Sequence, residues 1–162
     1  MSLNSISPID GRYEKYTKNL AQYFSESALM KYRIMVEGEY LIALSDLKLT
    51  RKFSDQEKKL IRDLYNLSEK DAQIISDIEL EGYKHIKATD HDVKAIEYFM
   101  KDKLSKTSLS DSLEWIHFAL TSEDTNNIAY ALMLSDSLEH VLIPSIKKII
   151  LELNSLAKKH KD

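Results

Sequence analysis

Three short polar segments of this chain hold more chemically capable side chains than a scaffold needs. The first is Pro8-Ile9-Asp10-Gly11-Arg12-Tyr13. Proline presets one dihedral and Asp-Gly supplies a bend, so the segment reads as a turn that starts a helix. It also reads as an anion clamp, with the guanidinium fork of Arg12 and the phenol of Tyr13 addressing a phosphate or carboxylate. The second is Thr89-Asp90-His91-Asp92, at the opening of a helix. Thr89 or Asp90 can simply cap the helix and leave His91 in solvent. Alternatively, the helix N-terminus disfavours an imidazolium while Asp90 and Asp92 favour it, a balance that suits His91 to hydrogen bonding or proton transfer. The third is Thr121-Ser122-Glu123-Asp124-Thr125-Asn126-Asn127, seven polar residues between an apolar stretch and a long helix. Capping needs one or two of them. Two adjacent hydroxyls beside the free amides of a first helical turn make a ready site for carboxylate or phosphate.

Other chemistries find no support. The chain has no cysteine, hence no disulfide, thiolate metal site or cysteine nucleophile. His85, His117, His140 and His160 are not spaced as metal ligands and read as surface or packing residues. Lysine and arginine number 23 against 26 acidic residues, a formal charge of −3 with no basic block, so nucleic acid is an unsuitable partner. Neither a signal peptide nor an apolar run of membrane-spanning length is present, which makes a soluble cytoplasmic protein the expectation.

The elements that position these segments must be helices. Three glycines and two prolines among 162 residues amount to about 3%, against roughly 12% in average usage. Turn-rich β architectures and glycine-rich phosphate loops cannot be written with so few. Helix starts recur instead. Ser25 with Glu26, Ser54 with Glu57, Ser68 with Asp71, Thr89 with Asp92 and Thr121 with Asp124 each precede an apolar pattern of helical period, and Gly82 marks a stop. A weaker helical stretch precedes Ser25, a short helix is expected over 112–120, and Glu97 with Lys101 is expected as a solvent-facing i,i+4 pair.

The last helix differs from the others. From Asp124 to Lys161 it would hold 38 residues and extend about 57 Å, whereas a compact domain of this size is about 40 Å across. Apolar triplets such as Leu132-Met133-Leu134 and Ile149-Ile150-Leu151 surround most of its circumference. Pro144 should bend it without ending it, because the apolar stripe keeps its register afterwards. The overhang calls for helices that this chain does not supply, from other subunits or from sequence after Asp162.

Taken together and in order, Ser7-Pro8-Ile9-Asp10-Gly11-Arg12-Tyr13, His91-Asp92-Val93-Lys94-Ala95-Ile96-Glu97-Tyr98-Phe99, and Ile116-His117-Phe118-Ala119 leading into Thr121-Ser122-Glu123-Asp124-Thr125-Asn126-Asn127 resemble the bacterial-type adenylosuccinate lyases. These belong to the wider fumarase and aspartase superfamily. The resemblance covers essentially the whole chain. It implies an all-α fold, with a helical N-terminal domain over residues 1–110 and the start of a central helical bundle over 111–162. The reaction it implies is β-elimination of fumarate, from adenylosuccinate to give AMP and from the succinylated carboxamide ribotide SAICAR to give AICAR. A homotetramer is implied, with active sites built from three chains and with no metal or organic cofactor.

By the same resemblance Arg12 and Tyr13 hold the nucleotide phosphate, His91 and Asp92 contact the nucleotide and orient its reacting part, and Thr121 and Ser122 bind the succinyl carboxylates. Asp90 departs from the asparagine expected in such lyases. The family's general acid, a histidine in a Thr-His-Gly-Gln type motif, and its general base, a serine on a glycine-rich loop, match nothing here. The chain therefore reads as an N-terminal portion without catalytic residues of its own. Other superfamily lyases, such as those acting on argininosuccinate, or a non-catalytic helical interaction module, are the competing readings.

Overall fold

A computed structural model describes residues 4–161, so the outer limits of the two expected domains, residues 1 and 162, lie outside it. The chain is all-helical. Short helices α1 (Glu14–Thr17) and α2 (Ala21–Phe24) precede the central α3 (Glu26–Asp46), followed by α4 (Asp55–Asp63), α5 (Glu69–Leu80), α6 (Asp92–Leu104), α7 (Ser122–Ser137) and α8 (Ile143–Lys159). No strand occurs among the described residues; Tyr83 and Ile86 form an isolated bridge.

Most of the helix starts follow from local sequence. Ser25 accepts the Ala28 amide, and reciprocal capping boxes join Ser54 to Glu57, Ser68 to Asp71 and Thr121 to Asp124. Each satisfies donors that a first helical turn leaves open. After α5 the chain turns at Gly82, whose φ of +95° is closed to most side chains.

α3 is covered on nearly every side, which makes it the core of the fold. Met30, Ile34, Leu41 and Ile42 pack with Ile61 of α4, Ile75 and Ile78 of α5, and Ile96, Phe99 and Met100 of α6. Tyr32 and Val36 face the other way, against Ala129 and Met133 of α7 and Tyr23 of α2. The Tyr32 hydroxyl donates to Asp136 at 2.7 Å and ties the same two helices together.

Three local expectations are corrected. The segment 112–120 is a single 3-10 turn, Leu113–Trp115, followed by left-handed residues at His117 and Ala119. Its side chains reach separate partners, with Ile116 in the core, the Trp115 ring tilted against that of Phe118 and His117 turned to Glu37 of α3. Glu97 does not face solvent. It is buried while Lys94 and Lys101 bind its two oxygens at 2.7 and 3.1 Å, the lysine stems covering the carboxylate. The cap of α6 is His91 rather than Thr89, whose hydroxyl donates instead to the His91 carbonyl.

The long final helix behaves as its length requires. From Ser122 to Lys159 the run is unbroken, but Leu138–Leu142 form a π turn in which the Ile143 amide reaches back five residues to the Leu138 carbonyl. This wider turn comes just before Pro144, which has no amide to donate, and the helical run continues past the proline. Beyond it no residue of α8 is buried, and Ile146, Ile149, Leu151 and Leu153 stand in the open. The contrast can be measured. Leu41→Ala, at a position 1% exposed, should cost about 2–5 kcal/mol in chemical denaturation. Ile149→Ser, 59% exposed, should change stability by less than about 0.5 kcal/mol; a loss matching that of Leu41→Ala would mean that α8 packs on this chain after all.

Candidate functional site

Two of the three polar segments meet at adjoining helix starts. His91 is the cap of α6, where its Nδ1 accepts the Lys94 amide at 3.3 Å, and its Nε2 lies 3.4 Å from the Ser122 hydroxyl at the start of α7. With Nδ1 accepting, a neutral His91 carries its proton on Nε2 and points it at Ser122 Oγ. Ser122 can then donate its own proton outward. Asp90 has a φ of +48°, a conformation that asparagine and aspartate tolerate best among residues with side chains, so either residue fits the backbone there.

The neighbouring hydroxyl has a different task. Thr121 Oγ1 donates to Asp124 at 2.8 Å, the same carboxylate oxygen accepts the Thr121 amide at 2.8 Å, and the Asp124 amide returns a bond to Oγ1 at 3.4 Å. These two donations from Thr121 hold the Asp124 carboxyl below the usual carboxylate range. Thr121 is thus consumed in building the turn. The amides of Ser122 and Glu123, in the first turn of α7, have no acceptor among the described residues. Together with the Ser122 hydroxyl they form a cradle of donors at the positive end of a helix, open to an anion.

Behind this surface stands α3. Arg33 and Glu37 lie one helical turn apart on its inward side, 3% and 1% exposed. Arg33 donates from Nη2 to Asp92 at 2.6 Å and from Nε to Asn126 at 2.9 Å, so one guanidinium joins the start of α6 to the first turns of α7. Burial pushes the Asp92 carboxyl up, but the Val93 amide and the Arg33 charge outweigh it and hold the carboxyl below its ordinary range. Glu37 Oε1 meets His117 Nδ1 at 2.7 Å and accepts the Thr125 hydroxyl at 2.8 Å. Three residues further along, the Tyr40 hydroxyl donates to the Phe118 carbonyl at 3.0 Å. Left-handed backbone at His117 and Ala119 costs on the order of 1–2 kcal/mol per residue, and these long-range ties help hold it in place.

The first segment is a self-contained knot. The Asp10 carboxylate accepts the Ser7 amide at 3.0 Å, the Tyr13 amide donates to the Pro8 carbonyl at 2.8 Å, and the Thr17 hydroxyl donates to the Ile9 carbonyl at 2.8 Å. A Cβ on Gly11 would come within 3.1 Å of both Ser5 Cβ and the Ser7 carbonyl, so the close turn favours glycine. Arg12 and Tyr13 project from this knot as exposed side chains. Among the described residues no hydrogen bond or ion pair links either side chain to His91, Asp92, Thr121 or Ser122. Nor do the described residues contain a cluster of three or more His, Cys, Asp or Glu arranged to hold a metal ion, or a helix long and apolar enough to cross a membrane.

Residues 11–162 match the protein family described as Lyase. The chain belongs to this lyase family. Among curated proteins it is 46% identical to the adenylosuccinate lyase of Dictyostelium discoideum over 93% of this chain and 32% of that protein. It is 42% identical to the adenylosuccinate lyase of Legionella pneumophila strain Corby, and 40% identical to that of Haemophilus influenzae, in each case over 99% of this chain and 35% of the relative. The resemblance first seen in three short segments thus extends along the whole chain. It also has a limit, because the chain spans about a third of the length of the curated relatives it matches.

The sequence did not single out Arg33, Glu37 or Tyr40, it named Asn126 only as one of seven polar residues, and His117 is a bonded partner rather than mere packing. The available signal was a charged pair at i,i+4 within Tyr32-Arg33-Ile34-Met35-Val36-Glu37, a stretch otherwise apolar. The Arg33 tie has a titration signature. An unfolded aspartate titrates near 3.9; since the folded carboxyl of Asp92 lies lower, its stabilising contribution is present above about pH 4 and lost as pH falls through the folded value. Arg33→Met should move the Asp92 midpoint upward, as followed by carboxyl-carbon NMR. An unmoved midpoint would show that the guanidinium does not hold this carboxylate ionised.

Proposed function

We propose that this chain is the N-terminal third of an adenylosuccinate lyase. The observation that carries the reading is the donor cradle of Ser122, its amide and that of Glu123, set beside His91, in a chain so similar to adenylosuccinate lyases. The reaction is a β-elimination. A proton leaves the carbon next to one succinyl carboxylate, the bond between the succinyl carbon and the nitrogen that carries it breaks (the purine amino nitrogen of adenylosuccinate, the carboxamide nitrogen of SAICAR), and that nitrogen takes up a proton. Adenylosuccinate yields AMP and fumarate; SAICAR yields AICAR and fumarate. Charge builds on the carboxylate beside the carbon that loses its proton, so donors already aimed there lower the barrier.

In this reading Ser122 and the first-turn amides of α7 bind a succinyl carboxylate, with Thr121 contributing through the turn it builds. His91 and Asp92 contact the nucleotide and orient its reacting part, while Arg12 and Tyr13, exposed and uncommitted to the rest of the site, take the phosphate. The general acid and general base come from segments outside these 162 residues. Residues 1–110 then form the N-terminal domain and 111–162 the opening of the central bundle. The uncovered apolar surface of α8 supports burial by further helices, in a cytoplasmic homotetramer whose active sites draw on three chains.

The test uses the full-length protein, with turnover followed by the absorbance change on fumarate release. Adenylosuccinate should be cleaved, and Ser122→Ala should lower kcat/KM by about a hundredfold, the scale found when one preorganised donor is removed from a site of developing charge. The 162-residue chain by itself should show no turnover. Cleavage of argininosuccinate in preference to adenylosuccinate, or unaltered kinetics in Ser122→Ala, would overturn the assignment.

A further inference from the structure

Glu37 is the least expected side chain in the molecule. It is a carboxylate 1% exposed in the middle of α3, and its second oxygen, Oε2, is buried with no hydrogen-bond partner among the described residues. A buried carboxylate with an orphaned oxygen does not serve stability, since a well-packed apolar residue would fill the space at lower cost. What Glu37 does achieve is geometric. Through Oε1 alone it holds His117, four residues before Thr121, and Thr125, four residues after it. The Thr121–Ser122 turn is therefore anchored on both sides by one atom of a different helix.

We propose that Glu37 is a positioning residue that sets the direction of the Ser122 hydroxyl and of the open amides at the start of α7. The local capping box joins Thr121 to Asp124 but does not fix where the pair sits relative to α3 or His91. Only contacts from outside the turn can do that. The backbone leading into it is left-handed at His117 and Ala119, a path the chain takes because His117 is drawn to Glu37 and the Phe118 carbonyl to Tyr40. The relevance to ligand binding rests on the reading of this turn as a carboxylate site, whereas the hold of Glu37 on the turn does not.

Two measurements on the full-length protein separate these levels. In Glu37→Leu, hydrogen exchange of the bonded amides of Phe118, Leu120 and Thr121 should quicken about tenfold while those of Val93 and Lys94 at the start of α6 keep their rates. The inhibition constant of fumarate, which addresses the carboxylate cradle, should rise about tenfold, and that of AMP, which has no succinyl carboxylate, should stay within about twofold. Glu37→Gln should restore most of both effects, because its amide oxygen can accept from His117 and Thr125 alike. Should Glu37→Leu not fold, Thr125→Val removes one of the two bonds with little change in shape and should give the same pattern at smaller amplitude. Unchanged exchange in the turn, or equal weakening of fumarate and AMP, would overturn the proposal. Quickened exchange in a protein that never binds fumarate would retire the carboxylate reading and leave the hold of Glu37 on the turn established.

Discussion

A helix that is apolar on nearly every side carries two opposite charges inward, and everything at the candidate site hangs from them. Arg33 and Glu37 occupy successive turns of α3, and neither charge reaches solvent. Removing a charge from water costs several kcal/mol even after a protein relaxes around it. Such a cost is tolerable only where strong partners arrive, so α6, α7 and the loop between them have to come to α3 in one arrangement. Asp92 and Asn126 come to Arg33, and His117 and Thr125 come to Glu37. Apolar packing of Ile96, Ala129 and Met133 would permit small slides along the helix. Hydrogen bonds of 2.6 to 2.9 Å do not.

This division between local and distant interactions decides how much could be read without coordinates. The caps at Ser25, Ser54, Ser68 and Thr121 are patterns closed within three residues, and all of them form. The sites at His91 and Ser122 were legible as two separate helix starts. That they touch was not legible, because 31 residues separate them and nothing in either segment names the other. Arg33 lies 59 residues from Asp92, and Glu37 lies 80 from His117. Periodicity marks positions as buried or exposed but does not say which buried charges pair. The short helix expected over 112–120 failed for the same reason, since the backbone there follows the demands of Glu37 and Tyr40 rather than its own propensity. Histidine is also an uncommon helix cap, which is why Thr89 looked the better candidate.

The ends of the chain differ from its middle in how fully they are satisfied. The core around α3 leaves little unpaired, whereas α8 buries nothing and Arg12 projects from its knot without a partner among the described residues. A long helix with apolar residues on most of its surface is unstable as a free object in water and needs cover. The chain spans about a third of its relatives, and both unfinished features are of the kind that further helices and a bound anion would complete. Site and assembly surface lie on the same helical run. The donors of Ser122 and Glu123 open α7, and the π turn before Pro144 joins that run to α8. A change in how α8 is covered would thus act on the far end of the helix that carries the cradle.

The adjacent hydroxyls of Thr121 and Ser122 show how closely structure and chemistry can be divided between neighbours. Thr121 and Ser122 look interchangeable in sequence. Yet Thr121 gives its proton to Asp124 and takes the Asp124 amide in return, so its bonding capacity is spent inside the turn. That exchange also disposes of a charge problem. Asp124 would otherwise set a bare carboxylate near the open amides of Ser122 and Glu123, and two donations from Thr121 occupy one of its oxygens. Ser122 is left with a proton to offer, because His91 supplies the bond its oxygen accepts. A neutral histidine does so with its other nitrogen taking the Lys94 amide, which ties the direction of the Ser122 hydroxyl to the α6 cap. An anion bound at this site would therefore sense the starts of two helices at once, one through the amides of α7 and the other through the ring of His91.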